Sequence, residues 1–342
     1  MARLPDEDIQ QVVDRTENLW QEVRGRRIFF SGGTGFFGAW LLESFLAANQ
    51  RFDLGAEAVV LSRNPARFLD KWPHMRKAAS LQWLVGDVRN FTYPADEFDF
   101  VIHAANDWSA RRAIEEPVDI YSTIADGARH MLDFAVHCRA KKFLYASSGA
   151  IYGTQPGTLS HMPEDYPGAP SCLDLSAAYS EAKRAAELLC FLYSKHFEVK
   201  IARCFSFVGP AMLLDAHLAM GNFIRDAMKG APIKISGDGT PRRSYLYTSD
   251  LTVWLWTLLF RAPSCRPYNV GSDRSVSVAE LAEIVRQALN PACEIQIAKK
   301  PVPGAPTSQY VPSIERAKQE LGLDLRVSLE EGIRKTAVWA RA

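Results

Sequence analysis

Residues 28 to 38 read IFFSGGTGFFG: three apolar residues, a turn with glycines at 32, 35 and 38, then apolar residues again. A strand that feeds a helix through Gly32, Gly35 and Gly38 limits what the chain around it can become. Glycines permit the tight turn, let backbone N–H groups approach a pyrophosphate, and let the helix pack close to the sheet. The helix N-terminus adds a partial positive charge that favours an anion. Phe36 and Phe37 belong to the same cofactor-binding junction, with their side chains expected in the core. A glycine trio alone is weak evidence; here the flanks are right on both sides.

The pattern continues as the turn requires. Short β-type runs recur at RIFFSG, EAVVLS, LQWLVGD, FDFVIHAA, KKFLYASS and VKIARCF, with helical spacing at 36–49, 117–138 and 177–196. Buried strands alternating with helices predict an α/β fold with a doubly wound parallel sheet. Residues 1–25 are expected to form a docking helix, with Ile9, Val12, Val13, Leu19, Trp20 and Val23 as its apolar face. Residues 26–205 form the dinucleotide-binding domain. Residues 206–342 form a smaller, mostly helical substrate lobe, interleaved with the sheet, with helices at 218–229, 248–261, 276–289, 313–322 and 327–340.

Charge and composition exclude other classes. Forty basic and 39 acidic side chains give a net charge of +1 without long runs of either sign, which argues against a nucleic-acid or membrane-surface protein. The apolar run VWLWTLLF (253–260) is too short to cross a bilayer. The start, MARLPDEDIQ, is acidic and polar, unlike a secretory signal. Six scattered cysteines and seven scattered histidines show neither CxxC nor ligand spacing. Buried free thiols, no metal and a cytoplasmic location are expected.

The second strand bears on the cofactor. It ends VVLSRNP, where an NAD-binding unit usually places an acid on the ribose hydroxyls. Ser62 leaves room for a 2′-phosphate and the Arg63 guanidinium suits its geometry. NADP(H) is favoured and NAD(H) remains possible.

The chemistry is placed further along. Ser148 ends the strand in SSGAIYG, and AAYSEAKRAAE then carries Tyr179 and Lys183 at i, i+4, on one helix face. A free phenol titrates near pH 10. A neighbouring ammonium and an oxidised nicotinamide both favour phenolate and so move Tyr179 towards useful acidity. Lys183 can also hold the nicotinamide ribose, and Ser148 can hydrogen-bond the substrate oxygen. Ser148, Tyr179 and Lys183 are thus expected to move a proton while hydride passes between substrate carbon and cofactor.

Over about residues 26–340 the chain resembles the extended short-chain dehydrogenase/reductases, or NAD-dependent epimerase/dehydratase family, Rossmann-fold enzymes that act on nucleotide sugars. The resemblance is carried by GGTGFFG, GDV (86–88), HAA (103–105), SSGAIYG, Tyr179 with Lys183, GNFI (221–224), GDGTPRRSYLY (237–247) and YNVGS (268–272). It implies that Asp87 and Val88 contact the adenine and that Ala104 and Ala105 line the cofactor. It also implies that Asn222 and Arg243 face the substrate diphosphate, and that two copies dimerise through a four-helix bundle.

Departures from the family pattern matter as much. Dehydratases of this family carry an acid pair, or at least a glutamate, just after the catalytic hydroxyl residue; here Gly149 and Ala150 stand there. Ordinary 4,6-dehydration is disfavoured unless Glu164, Asp165, Cys172 or Asp174 folds in. Ile124 and Ser206 replace usual asparagines. Pro303 replaces a second diphosphate arginine, for which Lys299 and Lys300 are candidate substitutes. The resemblance therefore implies a nucleotide-sugar 4-epimerase working through a 4-keto intermediate, or alternatively an NADPH-dependent 4-ketoreductase. An atypical dehydratase and a non-catalytic dinucleotide sensor rank below both, the sensor having no need of Ser148, Tyr179 and Lys183 together.

Overall fold

The computed structural model describes residues 3–106, 112, 115–215 and 218–341. The chain enters through α1 (Asp6–Arg15), which buries Ile9, Val12 and Val13. One docked helix is predicted for this region; the structure breaks it at Thr16. The Thr16 hydroxyl donates to the Val12 carbonyl at 2.6 Å and accepts the Trp20 indole N–H at 3.0 Å. The backbone there leaves helical space and resumes as a 3₁₀ segment, Glu17–Val23, that buries Leu19, Trp20 and Val23.

Next come β1 (Arg27–Ser31), α2 (Phe36–Arg51), β2 (Glu57–Ser62), α3 (Pro65–Lys71), β3 (Leu81–Val85) and β4 (Phe100–His103). They are followed by α4 (Pro117–His137), β5 (Lys142–Ser148), α5 (Ala178–Tyr193) and β6 (Glu198–Cys204). Helix α3 was not legible from its apolar spacing, because it is only seven residues long. Its signal is capping: the Asn64 side chain accepts from Arg67 N–H, and proline opens the first turn.

The remaining elements are β7 (Phe207–Val208), α6 (Ala219–Met228), β8 (Ile233–Ile235), β9 (Arg242–Arg243), β10 (Leu246–Tyr247) and α7 (Thr248–Arg261). After them come β11 (Arg266–Val270), β12 (Val276–Ser277), α8 (Val278–Leu289), β13 (Ile295–Ile297), β14 (Gln309–Tyr310), α9 (Glu315–Leu321) and α10 (Leu329–Arg341).

Seven parallel strands form the main sheet, in the order β3-β2-β1-β4-β5-β6-β11. Their side chains are almost wholly buried in β1, β4 and β5, as a sheet covered on both faces requires. Strand order reverses between β1 and β4, and the crevice at the carboxyl ends of these two strands is where such folds bind ligands. The run VWLWTLLF lies in α7, where Trp254, Trp256, Leu258 and Leu259 are buried in the core. Trp256 meets Trp20 edge-on at 4.9 Å, so the N-terminal segment closes over this helix. Among the described residues, no helix is long and apolar enough to cross a membrane.

The C-terminal lobe is helical with small sheets. Strand β9 lies between β12 and β14, β7 pairs with β10, and β8 with β13. Because β11 returns to the main sheet beside β6, with Val270 opposite Cys204, the lobe is tied in next to Ser148.

Candidate active site

Gly32 has φ +80° and sits against β4: a Cβ there would lie 2.4 Å from Ala104 C and Ala105 N. The turn and the end of β4 thus touch at the strand-order reversal, which sets Ala104 and Ala105 against the glycine turn. A Cβ at Gly38 would lie 2.3 Å from the Gly33 backbone, so this glycine lets α2 pack onto the turn. Gly33, missed by the three-residue spacing, is needed too, since a Cβ on it would lie only 2.5 Å from Val60 Cγ1. No side chain caps α2, leaving its first N–H groups to an outside acceptor, as a pyrophosphate site needs. Phe37 packs edge-on against Phe207 at 5.0 Å and Phe36 lies beside it. Both side chains are half-buried and pack against the core.

At the ribose end, the Ser62 hydroxyl lies 3.2 Å from that of Thr34 and accepts Asn64 N–H. Arg63 is exposed nearby. Asp87 is gripped by Arg89 through Nε at 2.9 Å and Nη2 at 3.0 Å, and Arg89 also reaches Asp119 at 2.7 Å. The Arg89 hydrogen bonds hold the Asp87 carboxyl below its usual range. Val88 is buried, and its Cγ1 would lie 2.8 Å from a Cβ on Gly127.

Ser148 closes β5, where its hydroxyl accepts Ala150 N–H at 3.1 Å. Helix α5 projects Tyr179 and Lys183 towards it. Lys183 is buried, donates to the Ala146 carbonyl at 2.7 Å and stands 4.9 Å over the Tyr145 ring. Burial lowers its pKa to about 8. Burial raises the Tyr179 pKa, and hydrogen bonds with Ser148 and Asn106 oppose the rise. The Lys183 ammonium is anchored at Ala146, while Ile120, Ile124 and Ala182 form an apolar cluster against Tyr179. Ile124, in place of the family's asparagine, is part of what dries this phenol. Asn106 Nδ2 lies 3.4 Å from the Tyr179 oxygen; it follows HAA directly and sequence reasoning passed over it.

The four spare groups of the 164–174 loop have partners elsewhere or stand exposed. The Glu164 carboxylate is buried and accepts Asn269 N–H at 3.0 Å. Asp165 pairs with Arg316 at 2.6 Å, Asp174 caps Ser176 N–H at 2.8 Å, and Cys172 is exposed. Exposed Cys172 also departs from the expectation of buried thiols, which Cys138, Cys190, Cys204 and Cys293 meet.

At the substrate end, Asn222 lies in the first turns of α6, its Oδ1 accepting from Arg225 at 3.1 Å. Arg243 lies on β9, donates to the Arg242 carbonyl at 2.7 Å, and faces Tyr245 and Tyr310. Ser206 pairs its carbonyl with Leu246 N–H at 3.0 Å. Lys299, Lys300 and Pro303 are exposed. Among the described residues, no group of three His, Cys, Asp or Glu could hold a metal ion.

The pattern defining the NAD dependent epimerase/dehydratase family matches residues 28–271. The chain belongs to that family. UDP-glucuronic acid decarboxylase 3 of Arabidopsis thaliana is 32% identical over 90% of this chain and 86% of its own length. An NAD-dependent NDP-hexosamine 5,6-dehydratase, TunA, superposes with a TM-score of 0.74 at 25% identity, over 92% of this chain and 98% of its own. The UDP-glucuronic acid 4-epimerase of Bacillus cereus gives 0.78 at 22% identity, over 92% and 99%. This member of the family shares the fold of epimerases and dehydratases that act on nucleotide sugars.

Proposed function

We propose that the protein is a nucleotide-sugar 4-epimerase. The observation that carries this reading is the setting of Ser148, Tyr179 and Lys183 beside a position 149 that Phe205 closes to any side chain. Tyr179 takes the proton of the sugar's 4-hydroxyl, Ser148 hydrogen-bonds the same oxygen, and Lys183 holds the nicotinamide ribose. A nicotinamide held there would supply the acceptor and donor for the C4 hydride. With neither Gly149 nor Ala150 able to carry a proton, C5–C6 elimination has no assistance there, and the ketone is returned to an alcohol of either configuration. Asn222 and Arg243 hold the diphosphate, where an amide and a fixed fork of donors suit phosphate oxygens.

A second reading is favoured by the decarboxylase relatives, 31% and 32% identical over 90% of this chain. A 4-keto uronic acid is a β-keto acid and loses carbon dioxide without a base at C5, so missing carboxylates do not forbid that outcome. A third, 4-ketoreduction, draws on Ser62 and Arg63, which also support a preference for NADP(H). NMR of incubations with UDP-glucose, UDP-N-acetylglucosamine and UDP-glucuronic acid separates them. A C4 epimer supports the first reading, a pentose product the second, and stoichiometric NADPH oxidation by a 4-keto sugar the third.

The reading includes a homodimer. Val118 and Tyr121 on α4, with Leu188, Phe191 and Leu192 on α5, expose apolar surface on two helices packed side by side. Exposed apolar side chains on a helix pair suit a second copy of the chain.

A further inference from the structure

Asp8 is fully buried, although it lies in the first turn of the first helix. A carboxylate is kept out of water only where other groups answer its charge and fill its lone pairs. Two residues far along the chain do so here. The Tyr247 hydroxyl donates to Oδ2 at 2.5 Å, and the Lys335 ammonium donates to Oδ1 at 2.6 Å. A second tie runs the other way. Arg15, at the end of α1, pairs with the fully buried Asp250, whose Oδ2 accepts the Arg326 and Val327 N–H groups at 2.9 and 3.1 Å. Residues 3–25 precede the span that defines the family, yet they are anchored inside the substrate lobe.

Tyr247 is the junction of these contacts. Its ring meets Trp40 of α2 edge-on at 6.1 Å, and the Trp40 indole donates to the Pro210 carbonyl at 2.9 Å. A Cβ on Gly332 of α10 would lie 2.8 Å from Tyr247 Cδ2, so the ring is held closely from a second side. Along its own strand, β10 pairs with Phe207 and Val208, and Leu246 N–H reaches the Ser206 carbonyl at 3.0 Å. Arg243 stands four residues before Tyr247. Between and just beyond them, Ser244, Thr248 and Ser249 are buried with hydroxyls that bond no other described residue. Among the described residues, the Tyr247–Asp8 bond is therefore the polar side-chain anchor of the stretch from 244 to 249.

We propose that Asp8 is a positioning residue for the substrate site: through Tyr247 it sets the 243–247 stretch, and with it the Arg243 guanidinium, against the dinucleotide-binding domain. A fork of donors fixed before a diphosphate arrives loses less freedom on binding. The inference rests on the assignment of Arg243 to the substrate diphosphate.

The test is calorimetric titration of UDP, dTDP, GDP and CDP, with NADP⁺ as the control ligand, beside hydrogen exchange of the ligand-free proteins. For the nucleotide that the unmodified protein binds tightest, Tyr247→Phe is expected to raise Kd about tenfold, the size of one hydrogen bond, while NADP⁺ affinity holds. Asp8→Ala is expected to do the same, and the double variant to do no more than either alone. Lys335→Met removes the other partner of Asp8; it should lower the unfolding midpoint and leave the nucleotide Kd in place. Amide exchange at 243–249 should quicken in Tyr247→Phe and Asp8→Ala. Unchanged nucleotide affinity in Tyr247→Phe overturns the inference, as do effects of Tyr247→Phe and Asp8→Ala that add in full. Equal weakening in Lys335→Met overturns it too, because affinity then merely follows stability. If the unmodified protein binds none of the four nucleotides, the assignment of Arg243 fails instead. Exchange at 243–249 then decides the anchor by itself, and unchanged exchange in both variants overturns it.

Discussion

Phe205 fills the space that a side chain at position 149 would need. A Cβ on Gly149 would lie 2.6, 2.7 and 2.8 Å from three atoms of the Phe205 ring. The ring is itself buried against Tyr152, Ile151, Met162 and Tyr310. Gly149 is therefore not simply a residue without an acid; its neighbour has taken the acid's room.

That relationship is testable by coupling. Gly149→Ala should cost about 1–3 kcal/mol, the usual penalty for overpacking. In a Phe205→Leu background the cost should shrink clearly, since the two sites share one space. Denaturant unfolding of the four proteins measures both effects. With ordinary hexose nucleotides the unmodified protein should yield no 4-keto-6-deoxy product; loss of one water in the mass spectrum would falsify this.

Arg63 should decide cofactor preference. Calorimetric titration should show tighter binding of NADP(H) than of NAD(H), and Arg63→Ala should erase most of the difference. The expected change is about 1.5–3 kcal/mol, typical of a hydrogen bond to a charged group. Equal affinity of the unmodified protein for both cofactors sinks the idea.

Tyr179→Phe keeps the ring and removes the proton carrier. Turnover should drop at least about a hundredfold while cofactor binding persists. Lys183→Met should lose rate and cofactor affinity together, because its ammonium is assigned to the ribose. A Tyr179→Phe enzyme with near-normal turnover would show that the proton moves elsewhere.

Buried Lys183 also makes stability depend on pH. An unfolded lysine titrates near 10.5, and the folded one near 8. Between those values the unfolded chain binds more protons, so the stability of the cofactor-free protein rises with pH across that window. Below pH 8 the lysine's burial is a full liability; above pH 10.5 it has gone. The Lys183→Met protein lacks this rise. The stability difference between the two should therefore move by about 3 kcal/mol in favour of the unmodified protein across the window. Unfolding curves taken at several pH values would show it, and a constant difference would refute it.

Much of the architecture was legible because it rests on local periodicity. Helices predicted at 36–49, 117–138 and 248–261 lie at Phe36–Arg51, Pro117–His137 and Thr248–Arg261. Their apolar spacing repeats over several turns, and glycine or proline marks the ends of the connections. The glycine turn, Ser148 and the Tyr179/Lys183 spacing were legible for the same reason, each being a short-range pattern on one element. Where a single side chain overrides the period, as Thr16 does, the sequence showed one helix and the chain makes two pieces.

Relations between distant segments belong to the tertiary structure alone. The pairing of β5 with β6 brings Phe205 over Gly149, and the β9–β14 pairing sets Tyr310 beside Arg243. The electrostatics of the site were decided there as well. Sequence spacing set Lys183 one turn from Tyr179, but desolvation and the Ala146 carbonyl govern the lysine, while Ser148, Asn106 and an apolar cluster around Ile124 govern the phenol. Spacing along a helix determines which residues can meet. The dielectric around them and the direction of each proton depend on what the rest of the chain packs against them.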